Sequence, residues 1–369
     1  MTWIKPARAA FALALLLAAC LAGRPAAAQS PFRPTRTSTA RGLPRQMIAA
    51  DWGNHLLAFS GNGGRTWQTL PTASLPSSSA SVALAPRNHP QPVRWLFTTM
   101  QTQPRIYRSG DFGQSWGVEA RPELLQHPLG DTSYFVDMHP FAIPYADPSR
   151  VYVGQSERRR DCDSGPNCVY LEVGAVNVST DSGVTWTTTG HRFGILSQLV
   201  VSPLVPGRLY AYQMADHSEP GAWLRSDDSG QTWAATTIPG PWLALDGADA
   251  NVLYAGLERS TDGGQTWTPY ARYSPCAIQP KAHPSIGGLL FQQCPPEFNQ
   301  SYRSRDGGDS WQLIARYPEI DVSHASRLYT FEPVGGRMTL FESFDEGDTW
   351  GSAPILFEPL QTYLPALGR

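Results

Sequence analysis

The sequence predicts an all-β fold of seven repeated four-stranded units, and three observations carry that prediction. An octapeptide of the form Ser-x-Asp-x-Gly-x-Thr/Ser-Trp occurs seven times. The copies are SGNGGRTW at 60–67, SGDFGQSW at 109–116, STDSGVTW at 179–186, SDDSGQTW at 226–233, STDGGQTW at 260–267, SRDGGDSW at 304–311 and SFDEGDTW at 343–350. The segments between copies repeat as well, each pairing a short apolar run, a Pro or Asp turn and a second apolar run, as in FAIPYADPSRVYVG, LVVSPLVPGRLYAY and LALDGADANVLYAG. Beyond the N-terminal apolar stretch, no segment keeps a helical apolar period.

Each octapeptide reads as a tight turn between two strands. Its acidic position, filled by Asn62, Asp111, Asp181, Asp228, Asp262, Asp306 and Asp345, can accept backbone N–H groups of its own turn. Its Gly supplies φ > 0, and its Ser and Thr hydroxyls can fasten the two arms. The closing Trp (Trp67, Trp116, Trp186, Trp233, Trp267, Trp311 and Trp350) opens the next strand and carries a large apolar surface. A third strand runs into each turn (IYRS, VNVS, WLRS, LFES), which makes four strands per repeat. Successive Trp lie 49, 70, 47, 34, 44 and 39 residues apart, a spacing suited to propeller blades. Before the first turn stand only QMIAAD and HLLAFS, so the C-terminal segment near QTYLPAL is expected to complete that unit and close the ring. The expected fold is a seven-bladed β-propeller over 46–369 with one turn motif per blade.

The N-terminus reads as a targeting segment. Lys5 and Arg8 precede an apolar stretch from Ala9 to Ala22, 14 residues and too short to span a bilayer. Two processing sites compete: Ala26-Ala27-Ala28 before Gln29, and Leu17-Ala18-Ala19-Cys20, which has the form of a lipobox with Cys20 as the lipidated residue. Residues 1–28 are the expected signal and 29–45, polar and rich in Pro, Arg and Thr, a flexible leader. Either route exports the chain to the periplasm, the exterior or a lipid-anchored place on the envelope. The whole-chain charge of −2 becomes −5 once Lys5, Arg8 and Arg24 are removed, which excludes a basic nucleic-acid surface. Of the 29 cationic residues only Lys5 and Lys281 are lysines, a bias read as genomic rather than functional.

Cysteine usage agrees with export. Apart from Cys20 there are Cys162, Cys168, Cys276 and Cys294, read as pairs 162–168 and 276–294, although three pairings are open. No C-x-x-C pair or H-E-x-x-H string is present, so no metal and no cofactor is expected.

In this strand order the turn motifs share one face, and binding chemistry is expected on the opposite one. There the repeat alignment places Asp51 and Trp52, His217 and Glu219, Trp242, and Glu332, each in or beside a loop. The 117–137 connection adds His127, Asp131 and Asp137. Arg158, Arg159 and Arg160, beside Asp161, Cys162 and Asp163, read as a loop that either binds an oxyanion or is a self-neutralised charge cluster. Glu297 follows the second cysteine pair, which reads as a staple on a long excursion.

The octapeptide is the Asp-box, or BNR repeat, and the chain resembles the Asp-box β-propeller superfamily from about residue 46 to 358. Sialidases, sortilin-type receptors, xyloglucanase-like glycosidases and photosystem II assembly factors share this resemblance, so it implies the fold and leaves the function open. A sialidase would require an arginine triad, a Tyr–Glu pair and an acid/base Asp. The Phe/Tyr-Arg-Ile-Pro string of such enzymes is reduced here to Phe32-Arg33-Pro34. A hydrolase would need two carboxylates flanking the sugar bond, for which Asp51, Asp137 and Glu219 are the candidates. The expectation is a non-catalytic, monomeric scaffold that binds a protein or glycan of the cell envelope and touches membrane only through a lipid anchor. A sialidase-like glycoside hydrolase is the alternative.

Overall fold

The computed structural model describes residues 32, 34, 36–39, 43–51, 56–71, 81–84, 95–98, 106–111, 113–120, 134–142, 147, 149–161, 169–214, 221–270, 280–294, 300–324 and 326–358. These residues are all β and turn, with no helix among them. They form six four-stranded antiparallel sheets and one five-stranded sheet. The first sheet holds Arg36–Thr39, Met47–Asp51, Leu56–Ser60 and Thr66–Thr69, with Leu356–Glu358 added to its outer edge. Every later sheet is a simple meander, from Ser81–Leu84, Trp95–Thr98, Ile106–Ser109 and Gly117–Ala120 to Glu319–Ile320, Leu328–Val334, Arg337–Ser343 and Gly351–Pro354. First strands of consecutive sheets pack on one another, as Arg36–Thr39 does on Ser81–Leu84 and Ala244–Leu245 on Lys281–Ala282. They are the innermost strands of a β-propeller.

Two sequence expectations change at the ring's ends. The missing inner strand of the first sheet comes from the supposed leader: Arg36–Thr39 pairs antiparallel with Met47–Asp51. Its polar side chains hide it from any periodicity test, but Phe32 just ahead is buried against Trp67, ring centroids 5.4 Å apart. The C-terminal strand Leu356–Glu358 does join the first sheet. It lies parallel to Thr66–Thr69 on the outer edge and leaves the inner place to Arg36–Thr39. QTYLPAL lies outside the described residues.

Each Asp-box is wired the same way. The box Ser hydroxyl donates to the acidic residue two positions on and accepts the Gly N–H four positions on, as in Ser260 with Asp262 at 2.7 Å and Gly264 at 2.8 Å. The other carboxylate oxygen accepts the Thr or Ser hydroxyl of the second arm, Thr266 to Asp262 at 2.6 Å. In five boxes the Trp indole N–H closes on that Gly carbonyl, at 2.7 Å for Trp67 and 3.1 Å for Trp350. Asn62 serves in the first box by accepting the Thr66 amide and donating to its hydroxyl. In the six boxes whose fourth residue is described, the fourth and fifth residues both have φ > 0, at 80° and 91° for Gly63 and Gly64 and at 67° and 90° for Ser229 and Gly230. That left-handed pair turns the fourth residue's N–H toward its own sheet, Gly263 to Asn251 at 2.9 Å and Gly307 to Gly288 at 3.0 Å.

In four boxes the fourth residue's carbonyl is taken by an arginine of the preceding sheet. Arg225 donates to Gly263, Arg259 to Gly307 and Arg303 to Glu346. At the closing seam the position ahead of the box is Glu342, and Arg327 from the neighbouring strand donates to the Gly63 carbonyl instead. Buried Arg327 also holds Glu342 at 2.8 Å and Asp321 at 2.5 Å, while Arg65 of the first sheet reaches Glu342 at 2.9 Å. Thr37 with Tyr329, at 2.9 Å, and Leu356 with the Arg65 carbonyl, at 2.8 Å, complete the joint between last and first sheets.

Three outcomes follow from this wiring. A Cβ at Gly308 (φ 98°) would sit 2.1 Å from the Tyr270 ring, so Gly308→Ala should cost about 2–4 kcal/mol in denaturant unfolding, whereas Gly110→Ala, with open space around it, should cost under about 0.5 kcal/mol. Arg327→Met leaves Asp321 buried without its cation and Glu342 with Arg65 alone, and should cost about 3–5 kcal/mol by the same assay. Hydrogen bonds from the Thr232 hydroxyl and amide hold the Asp228 carboxyl down at about 2, and those from Thr349 do the same for Asp345. A depressed folded pKa gives stability that is complete above the ordinary 3.8 and is lost as pH falls toward about 2. Acid unfolding of Asp228→Asn, which copies the natural Asn62, should therefore show a shallower loss across that window than the parent.

Candidate functional site

The box turns and the turns joining first to second strands share one face, tied in five boxes by the amide of the fourth residue. That face is committed to structure. Besides the boxes, a polar residue opens several of its inner turns: Ser202, Asp246, His283 and Asp321 each accept a backbone amide two residues on or further, Ala248 to Asp246 at 2.8 Å and Ser323 to Asp321 at 2.9 Å. A cleft of about 300 Å³ at the closing seam is lined by Arg65, Glu342, Asp345 and Thr349 among others, whose charges are already engaged in the seam and the box.

On the opposite face, a cleft of about 250 Å³ opens where the innermost strands begin. Its floor is Ala244, Leu245, Pro280 and Ala282, and its polar wall is Lys281 and Tyr317. The Lys281 ammonium lies 4.6 Å from the Tyr317 ring centroid, 3.0 Å from a Glu319 carboxylate oxygen and 3.1 Å from the Pro318 carbonyl. Burial pushes the Tyr317 phenol up, so it stays neutral near pH 7. Two residues before the floor stands Trp242, 41% exposed. The two residues ahead of it are pinned: the Trp223 indole N–H donates to the Gly240 carbonyl at 3.0 Å and the Gln198 side-chain amide to the Pro241 carbonyl at 2.8 Å. Trp242 is thus an exposed aromatic on a fixed backbone, which costs little ordering when something binds. Next to this cleft Glu332 pairs with Arg316 at 3.2 Å.

The other predicted site residues that are described lie in strands away from this cleft. Asp51 is not in a loop: it ends the strand Met47–Asp51, pairs with Leu56 in register and is 2% exposed. Glu332 likewise lies within Leu328–Val334. Asp137 is on Tyr134–Ala142, the inner strand of the third sheet. Arg158, Arg159, Arg160 and Asp161 belong to the strand Val151–Asp161, opposite Glu172, Leu171, Tyr170 and Val169, because the hairpin of this sheet runs for 11 paired positions. Trp52, His127, Asp131, His217, Glu219, Glu297, Cys20, Cys162, Cys168 and Cys276 lie outside the described residues. Cys294 closes the strand Leu290–Cys294, buried and disulfide-bonded. Among the described residues no group of three or more His, Cys, Asp or Glu is placed to hold a metal ion.

Sequence reasoning missed Lys281, Tyr317 and Glu319. The one usable signal was that Lys281 is the sole lysine outside the N-terminal segment.

Comparison with known proteins bears on fold and function unequally. The family model for the BNR/Asp-box repeat matches residues 258–269. A xyloglucanase of Paenibacillus sp is 30% identical over a match covering 33% of this chain and 15% of that protein. A xyloglucanase of Hypocrea jecorina is 28% identical, covering 27% and 15%. These matches span under a sixth of the relatives' length. An oligogalacturonate lyase solved in complex with manganese superposes with a TM-score of 0.53 at 10% identity, over 83% of this chain and 88% of that one, a likeness of fold alone.

Proposed function

We propose that this chain, an Asp-box β-propeller of the BNR-repeat superfamily, is an exported, non-catalytic binding module that holds a protein or glycan on the face opposite its boxes. The observation that carries this reading is the pinned, exposed Trp242 beside the Lys281–Tyr317 cleft. A flat aromatic on a rigid loop next to a small pocket is a recognition surface. In the same reading each sheet is one blade, seven in all, closed by Arg36–Thr39 within and Leu356–Glu358 without. The Ala9–Ala22 stretch directs export, and Cys276 is the partner of Cys294.

The alternative is a glycoside hydrolase, favoured by the two xyloglucanase matches. Hydrolysis needs one carboxyl to donate a proton and a second to attack or activate water. The described carboxylates beside the cleft, Glu319 and Glu332, are each ion-paired, with Lys281 and Arg316, and do not face one another across the cleft as a paired acid and nucleophile.

Purified protein, its fold checked by Trp fluorescence, should release no product from xyloglucan, sialosides or common aryl glycosides. Saturable turnover that disappears on denaturation would instead establish the hydrolase.

A further inference from the structure

The cleft beside Trp242 restricts what the module can bind. Among the described residues its only charged lining residue, Lys281, is paired with Glu319 at 3.0 Å, so these residues offer no uncompensated charge to an anion or a cation. What it offers is a donor and an acceptor side by side, the ammonium and the carboxylate. Hydroxyl groups, each both donor and acceptor, can engage the two together. Below them the floor of Ala244, Leu245, Pro280 and Ala282 is apolar, and the Tyr317 ring forms a wall. At about 250 Å³ the space lies below the range of drug-sized pockets and suits one small ring. Trp242 stands outside it on a fixed loop, able to carry a neighbouring ring on its face.

We infer that this cleft seats one uncharged sugar ring of a longer glycan, with hydroxyls on Lys281 and Glu319 and the adjoining ring stacked on Trp242. This inference rests on the binding-module reading and narrows it to a neutral carbohydrate. No bond is made or broken. Lys281 and Glu319 act as a matched pair, so removing either leaves the other's charge unbalanced and changes the class of ligand preferred.

The test is titration of the full exported chain, by calorimetry and Trp emission, with cellotetraose, xylotetraose, mannotetraose and trigalacturonate. At least one neutral tetrasaccharide should bind and shift the Trp emission. Trp242→Ala and Tyr317→Ala should each weaken it by tenfold or more, and Glu319→Gln should move the preference toward trigalacturonate. Leu204→Ala, an exposed apolar residue on the box side, should leave affinity unchanged and report fold integrity. Preference of the parent for trigalacturonate, binding indifferent to Trp242 and Tyr317, or no binding of any neutral sugar would overturn the inference. Cross-linking in the native envelope separates the two levels. If no sugar binds but Trp242→Ala abolishes a specific protein cross-link, the glycan inference falls and the binding module stands. If neither sugar nor cross-link depends on Trp242, both fall.

Discussion

The fold depends on a pair of consecutive left-handed residues, present in the six Asp-boxes whose fourth residue is described. Without φ > 0 at positions four and five the chain could not bring the Ser hydroxyl onto the Gly amide while aiming the fourth residue's two backbone groups in different directions. In five boxes the N–H goes to the inner turn of the same sheet, and in four the carbonyl goes to an arginine of the sheet before. One local conformation thus fixes both the shape of a sheet and its attachment to the next. Ser182, Ser229 and Glu346 occupy the fourth position without being glycine, at φ of 74°, 67° and 58°. The network around them holds a conformation that L residues seldom adopt.

The closing seam follows the same logic with different parts. Glu342 stands where Arg225, Arg259 and Arg303 stand elsewhere, and Arg327 supplies the missing guanidinium from the next strand. Both ends of the chain then meet there: Arg36–Thr39 inside, Leu356–Glu358 outside, and Phe32 packed with Trp67 beside Phe331. Trp67 is fully buried while most box tryptophans are partly exposed, because at this seam Phe32 and Phe331 pack against its ring.

What could be read in the sequence was what is decided within eight residues. The box and the strand–turn–strand pattern between boxes gave the all-β propeller because their hydrogen bonds are local. Arg36–Thr39 was missed because RTST has no apolar alternation and gains its place through pairing with Met47–Asp51. Arg158–Arg160 read as a loop because three charges in a row suggest solvent, whereas register with Tyr170–Glu172 extends the strand. The inter-sheet arginines were legible in principle, since Arg directly precedes the box Ser at Arg108, Arg225, Arg259 and Arg303, yet their partners lie a whole repeat away. Lys281 and Glu319, 38 positions apart, meet only once two sheets are in place.

A division of labour results. One face is consumed by the bonds that build the ring, and the other holds its aromatic and its paired charges in the open. Hydroxyl-radical footprinting of the protein in its native envelope tests that division most directly. The account predicts that Trp242 and Tyr317 are shielded relative to the purified chain while Leu204 and Phe344, exposed on the box side, react equally in both settings. Shielding of Leu204 and Phe344 with Trp242 left reactive would contradict it.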